Sequence, residues 1–453
     1  MHKKHQHQTR SAGWWRSLSA VTVATGLLAA PSAHALDLTT ANIAAQANDA
    51  GIRATRAGTE AQRERLPMAQ AQLKPNLSVS GSYNSNLLDT TTNTASQRDR
   101  YTSSNVSLSL RQPLYRKGLW LGVDQAKSII EDAAASQAAE EQNLTVKVST
   151  AYFEALLTND QLRLIEAQRV FTETQLDAAR KALQAGTGTR TDIDEAQARL
   201  DMTLAQALEA RQKAQSTRRA LEAMVQQPAE VLAAIDPARL DLQALQPADL
   251  QSWVASAELS SPELKSLTAR VRTAELEVAK AQSGHLPTLD AVAQWSLNDS
   301  ENITRINTKY NQRSVGLQFN VPLYAGGYVS AQVRQALADQ ERYQQQLEAA
   351  RRELDLRVQR EYHGVTEGTL KVRALEQAVR SAKQLIESTR MSQKAGVRTV
   401  IDVLNVEQQQ LQAQKELTQA RHVYAVSLIR LWALAGEASP ERIGTVNAWL
   451  VQP

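Results

Sequence analysis

Cysteine is absent from all 453 residues, which excludes disulfides, thiol catalysis, cysteine-based zinc sites and a lipid-modified cysteine at a processing site. The histidines beyond residue 35, His285, His363 and His422, are scattered without metal-ligand spacing. Neither a nucleophile elbow nor a phosphate loop is present, so the expectation is no enzyme, no cofactor and no metal. Beyond residue 35 no apolar run of 18 residues occurs, so no transmembrane helix is expected. Glutamate-rich stretches such as Glu140-Glu141 read as solvated helix faces.

What is there begins with a targeting segment over residues 1–35. Lys3, Lys4, Arg10 and Arg16 form a positive region, Leu18 to Ala30 is apolar, and Ala33-His34-Ala35 fits the small-x-small cleavage rule. The mature chain is expected to begin at Leu36, and His2, His5 and His7 lie in the part removed. The apolar stretch is too short to cross a hydrocarbon layer of about 30 Å as a helix. The full chain is formally +4, but four of its 51 basic residues and none of its 47 acidic ones fall in this segment, leaving 47 of each sign. A near-neutral mature chain, with no basic block carrying interleaved aromatics, gives no support for a nucleic-acid partner.

From Tyr328 to Lys394 there is no proline, and only Gly364 and Gly368 interrupt Ala, Gln, Leu, Glu and Arg, all good helix formers. One helix is expected, and at ~1.5 Å per residue it spans roughly 100 Å. Ala395-Gly396-Val397-Arg398-Thr399 breaks it, and a return helix follows. The same design occurs earlier: Arg111 to Gly118 answers to Asn320 to Gly327, Gln184-Ala185-Gly186 to Lys394-Ala395-Gly396, and Leu73-Lys74-Pro75 to His285-Leu286-Pro287. The chain is an internal repeat. The first copy covers 36–227, with a helix reaching Pro67, a β-hairpin at 76–115, a long helix at 119–185 and a return helix at 191–226. An irregular connector at 228–262 leads to the second copy at 263–435, with a helix, a hairpin at 288–323, a long helix at 328–394 and a return helix at 400–434. A short irregular tail occupies 436–453.

The hairpins alternate oily and wet positions. Leu77, Val79 and Tyr83 share one face of the first strand, and Leu289, Ala291, Ala293, Trp295 and Leu297 do so in the second copy. Val315, Leu317, Phe319 and Val321 stand opposite Ser314, Gly316, Gln318 and Asn320. A small soluble sheet or the edge of a sandwich would also alternate, but no other strand-rich stretch offers a second sheet to cover the oily faces. For an exported chain without a membrane helix, the remaining way to span a bilayer is a closed β-barrel of at least about eight strands. Four strands per chain are too few, so hairpins must be shared, and a trimer with twelve strands closes. The long helices cannot bury themselves alone and are expected to pair as coiled coils.

The two-copy architecture, Pro322-Leu323-Tyr324-Ala325-Gly326-Gly327 after the last strand, and the run from Ala395-Gly396-Val397-Arg398-Thr399 through Val400-Ile401-Asp402-Val403-Leu404-Asn405 resemble the TolC family of outer-membrane channel-tunnel proteins over the whole mature chain. The resemblance implies a mainly α fold with a membrane β-barrel: a trimeric twelve-stranded barrel continues into a twelve-helix periplasmic α-barrel, girdled by a mixed α/β equatorial domain built from the connector and the tail. It implies an outer-membrane homotrimer set in lipid, docking to a periplasmic adaptor (membrane fusion protein) and an inner-membrane ABC or other transporter, and passing an exported protein such as a toxin, or small molecules. The absent lipobox cysteine resembles the unlipidated branch. Asp402 matches a carboxylate that rings the narrowest point of the pore, where like charges attract cations. A second family carboxylate is Asn405 here. Arg398, Thr191 and Asp192 match polar contacts that hold the tips shut, and Gln393 replaces a family tyrosine in that lock. For Asp402 and Asp192, helix N-capping just after a turn is the other reading. The competing functional class is a soluble periplasmic coiled-coil scaffold or adaptor.

Overall fold

The structure is a computed structural model that describes residues 35–242, 245–301 and 307–451. The expected targeting segment lies outside the described residues apart from Ala35. No helix among the described residues is long and apolar enough to cross a membrane.

The chain opens on three helices, α1 (Leu38–Asn48), α2 (Ala50–Arg63) and α3 (Arg65–Ala71), where the sequence pattern reads as one helix ended by Pro67. Asp49 splits the pattern because its extended backbone and a side chain accepting from the Ile52 N–H at 2.8 Å cap α2. Pro67 does not stop the chain. It sits in the first turn of α3, where no intrahelical partner exists for the N–H that proline lacks.

The first copy continues with β1 (Asn76–Thr91), β2 (Ser96–Tyr115), α4 (Lys117–Gln184) and α5 (Arg190–Val225). The connector holds β3 (Ala234–Ile235) and, contrary to the irregular stretch expected at 228–262, an 11-residue helix α6 (Leu250–Ser260), started by Asp249 accepting from the Ser252 N–H. The second copy is α7 (Pro262–Gln282), β4 (Thr288–Ser300), β5 (Thr308–Asn320), α8 (Tyr328–Lys394) and α9 (Val400–Leu434). The tail is ordered too, as α10 (Pro440–Asn447) and β6 (Leu450–Val451), the latter pairing with β3.

Helices α4 and α8 run for 68 and 67 residues. Both end in the same device. Gly186 (φ 74°) and Gly396 (φ 76°) adopt the left-handed conformation that ends a helix with little strain only at glycine. The N–H groups of Thr187 and Val397 then reach back to the carbonyls of Ala182 and Ser392, each at 2.9 Å, and turn the chain into α5 and α9. Gly364 and Gly368 do not interrupt α8. Gly364 allows close approach to α9, since a Cβ there would lie 2.8 Å from the Ser427 Oγ.

The apolar core gathers at the middle of α4, around Tyr152, Phe153 and Leu156, with Trp253 of α6, Tyr424 and Trp432 of α9, and Trp449. The Tyr152 hydroxyl donates to the carbonyl of Leu36 or Ala233, at 2.9 and 3.0 Å, so one buried phenol fastens the chain start and the connector to α4. Burial, then the charge of Asp37, pushes its pKa far up. Along the rest of the long helices apolar contact thins to small clusters such as Leu176, Ala196 and Leu200, or Val372, Leu417 and Ala420.

Candidate functional site

The two hairpins form one antiparallel sheet in the order β1-β2-β4-β5, because β2 of the first copy pairs with β4 of the second. Cross-strand partners share a face, so the register aligns the oily positions in rows. Leu77, Leu110, Ala293 and Val315 form one row, and Val79, Leu108, Trp295 and Arg313 the next. Among the described residues nothing covers this face: Val79 is 71% exposed and Val315 88%. The reverse face is wet. Ser78 and Ser80 bond to Ser109 and Ser107 across β1 and β2 at 2.7 Å, and Asn105 meets Asn298 across β2 and β4. Among the described residues, strands β1 and β5 have a hydrogen-bonding neighbour on one side only.

At the helix-bearing end of the wet face stands a cluster that sequence reasoning missed. Asp290 of β4, 1% exposed, accepts from Arg111 Nε at 3.0 Å and from Arg116 Nε at 2.8 Å. One carboxylate thereby joins β4 to β2 and to the start of α4. The alternation that places Asp290 on the wet face was a signal for it, but its two partners lie 179 and 174 residues away.

The other end of the long helices carries the residues singled out from sequence. At the start of α9 the Thr399 hydroxyl accepts from the Asp402 N–H at 3.2 Å, while Asp402 Oδ2 accepts from the Thr399 N–H at 2.9 Å. Thr189 and Asp192 repeat this at the start of α5 with the same two distances. The caps themselves are Thr399 and Thr189, and the aspartates close the capping box three residues on. The Thr399 backbone N–H, its hydroxyl, and then the Arg398 guanidinium at 3.6 Å hold the Asp402 carboxyl below the usual carboxylate range. Thr191 is exposed and Gln393 half-buried. Among the described residues no hydrogen bond or ion pair joins Arg398 to Thr191 or Asp192 within the protomer.

Asn405 is brought to a residue not anticipated: Arg199 of α5 donates to its side-chain oxygen at 2.6 Å. Further polar contacts tie the α4/α5 hairpin to the α8/α9 hairpin. Gln168 bonds to Gln408 at 2.8 Å, and Arg390 lies over the Phe171 ring while pairing with Glu407 at 3.4 Å. Burial pushes the Glu407 carboxyl up, with Arg390 opposing. Higher on α9, His422 faces Asp160 of α4. Among the described residues no cluster of His, Asp and Glu is placed to hold a metal ion. The arrangement is a wall with one oily and one wet side, continued by two hairpins whose mutual contacts are mostly polar at their far end.

The model of the outer membrane efflux protein family matches residues 43–225 and 253–437. The chain is 35% identical over 426 residues to the alkaline protease secretion protein AprF of Pseudomonas aeruginosa, covering 90% of this chain and 86% of that one. It is 32% identical over 432 residues to the proteases secretion protein PrtF of Dickeya chrysanthemi, covering 93% of each. Its fold is similar to the crystal structure of the outer membrane protein VceC from Vibrio cholerae, with a TM-score of 0.73 at 16% identity over 89% of this chain and 97% of that chain.

Proposed function

We propose, from the premise that this chain belongs to the outer membrane efflux protein family, that three copies close their sheets into one barrel and continue as a single helical duct into the periplasm. The protein is an outer-membrane export channel, a passive conduit rather than an enzyme. The observation that carries the trimeric reading is the two-faced sheet with an open edge on β1 and another on β5. A bilayer covers the oily face, water fills the wet one, and pairing β5 of one copy with β1 of the next removes every edge. A soluble scaffold would leave that oily face in water.

The cargo is a secreted protein, driven in by an inner-membrane ABC or other transporter through a periplasmic adaptor. Two relatives above 30% identity, both named for protease secretion, support this over small-molecule efflux. Asp402 supplies the one carboxylate per copy at the constriction and Asn405 a neutral neighbour. Arg398 meets Thr191 and Asp192 across copies, with Gln393 beside them, when the tips are shut.

The absence of native cysteine makes the test clean. Single cysteines walked along β1 and β5 in pairs, then oxidised in outer membranes, are expected to yield covalent trimers at one register. Cross-links confined to single subunits, or a conducting particle with the mass of one subunit, would sink the reading.

A further inference from the structure

Where the sheet passes into the helices, α3, the start of α4, the end of α7 and the start of β4 surround a cavity of about 490 Å³. Four of its lining residues are cations, Arg65, Arg116, Lys117 and Lys280, and none is an acid. Arg116 is paired with Asp290, and Lys280 with Glu277 at 3.2 Å. Arg65 and Lys117 are exposed, and among the described residues no acid pairs with either one. Arg65 donates to the neutral Gln62, and Glu64, its neighbour in sequence, stands outside the lining. Met68, Leu119 and Ile129 supply apolar wall, and Gly122 leaves room, since a Cβ there would meet nothing within 4 Å.

The cavity opens on the wet side of the protein wall. Thr288 in its lining pairs with Asn320, on the face of β4 that carries Asp290 and Gln294, and Arg116 reaches Asp290 from that side. On α4, Trp120 lies two residues from both Gly118 and Gly122, about 200° around the helix, so its exposed indole points away from the cavity. A hollow lined by four cations, with a flexible methionine at its rim, accepts carboxylates while their methylene stems rest on apolar atoms. Exposed pairs of this kind are individually weak, and weak seats suit a passing chain, which must be held enough to enter and loosely enough to leave.

We infer that Arg65 and Lys117, backed by Arg116 and Lys280, form in each copy a seat for acidic side chains of the exported polypeptide, and that three seats ring the duct where barrel gives way to helices. The inference rests on the trimeric export-channel reading with a protein cargo, which makes the wet face the inner wall.

The purified trimer is placed in planar bilayers, and hexaglutamate or hexalysine is added on the barrel side. Hexaglutamate is expected to block the current and hexalysine not. The double variant R65Q/K117Q, checked to be trimeric and conducting, is expected to need about fivefold more hexaglutamate for half block. Gly122→Cys, the sole thiol in its chain, labelled with a bulky neutral reagent, fills the cavity without altering charge and is expected to weaken the block likewise. Equal block by hexalysine, or undiminished block in either variant, overturns the inference. A trimer that conducts and escapes block by hexaglutamate removes this inference alone, whereas protein that stays monomeric or never conducts removes the duct.

Discussion

Arg199 donates to the side-chain oxygen of Asn405 at 2.6 Å, a single bond joining α5 of one hairpin to α9 of the other. The Asn405 side chain is thus turned toward its own protomer's other hairpin, and the bond ties together two units that share little apolar surface near their tips. A hydrogen bond to a charged donor is worth about 1 kcal/mol or more net, which is roughly a fivefold bias on an equilibrium. Arg199→Ala is expected to raise the open fraction in planar bilayers about fivefold, and Asn405→Ala to do the same without adding to it in the double variant. Unchanged gating in both would remove the tie from the mechanism.

Asp402 closes the capping box of α9, and the constriction charge proposed for it is separable from that contact. Thr399→Ala deletes only the cap, and a lost threonine cap costs about 1 kcal/mol of local helix stability. Asp402→Asn keeps an acceptor for the Thr399 N–H and removes the charge, so cation selectivity is expected to fall with only a small loss of thermal stability. Because the folded carboxyl is held below its ordinary pKa, its ionised contribution is fully present above about pH 4 and is lost as pH falls through the lower folded value. Selectivity measured between pH 7 and 5 should be flat. A selectivity that survives Asp402→Asn would place the ring elsewhere.

His422 supplies the opposite sign. It is 4% exposed, its Nδ1–H donates to the Thr418 carbonyl at 2.7 Å, and its Nε2 faces Asp160 Oδ2 at 3.8 Å. Burial lowers its pKa, with the hydrogen bond to the Thr418 carbonyl and then Asp160 opposing and Arg421, itself paired to Glu376, reinforcing. The fold therefore favours the neutral ring, and stability is lost as pH falls from about 6.5 toward the depressed folded value. Thermal melts between pH 7.5 and 5.5 should show a falling Tm in the native chain and a shallower fall in His422→Gln. Equal slopes would show that other groups set the dependence.

Asp290 pairs with two arginines at the junction of sheet and helices. Replacing it by Asn leaves Arg111 and Arg116 facing each other, and with both guanidinium groups partly hydrated the cost is about 2 kcal/mol. A lower yield of assembled trimer and an earlier melt are expected. Arg111→Gln should be milder, since Arg116 still holds the carboxylate. An Asp290→Asn protein that assembles and melts like the native one would make the cluster ornamental.

What could be read from sequence was local. Period-two alternation marks each strand, Gly186 and Gly396 mark the two turns, and the Thr-x-x-Asp spacing at Thr189 and Thr399 contains the capping boxes within four residues. What escaped reading joins distant positions. Arg199 and Asn405 are 206 residues apart, and nothing near either one names its partner. Helix α6 was hidden by the prolines around it, although Asp249 before Leu250 is a capping signal. Pro67 reads as a stop because its rule depends on position within a helix, and that position is set by where Arg65 begins the next one.

The β2 to β4 pairing gives the sheet a further meaning for the life of the protein. Since each duplicated half ends its hairpin on a strand of the other, neither half makes a finished panel, and one full panel is still unfit to stand in water. A freshly exported subunit must cross an aqueous compartment with its greasy side bare, so its survival depends on how soon that side is covered, in the proposed trimer by joining two sisters. Such a protein should build up as assembled triplets or be degraded, with few solitary subunits in between.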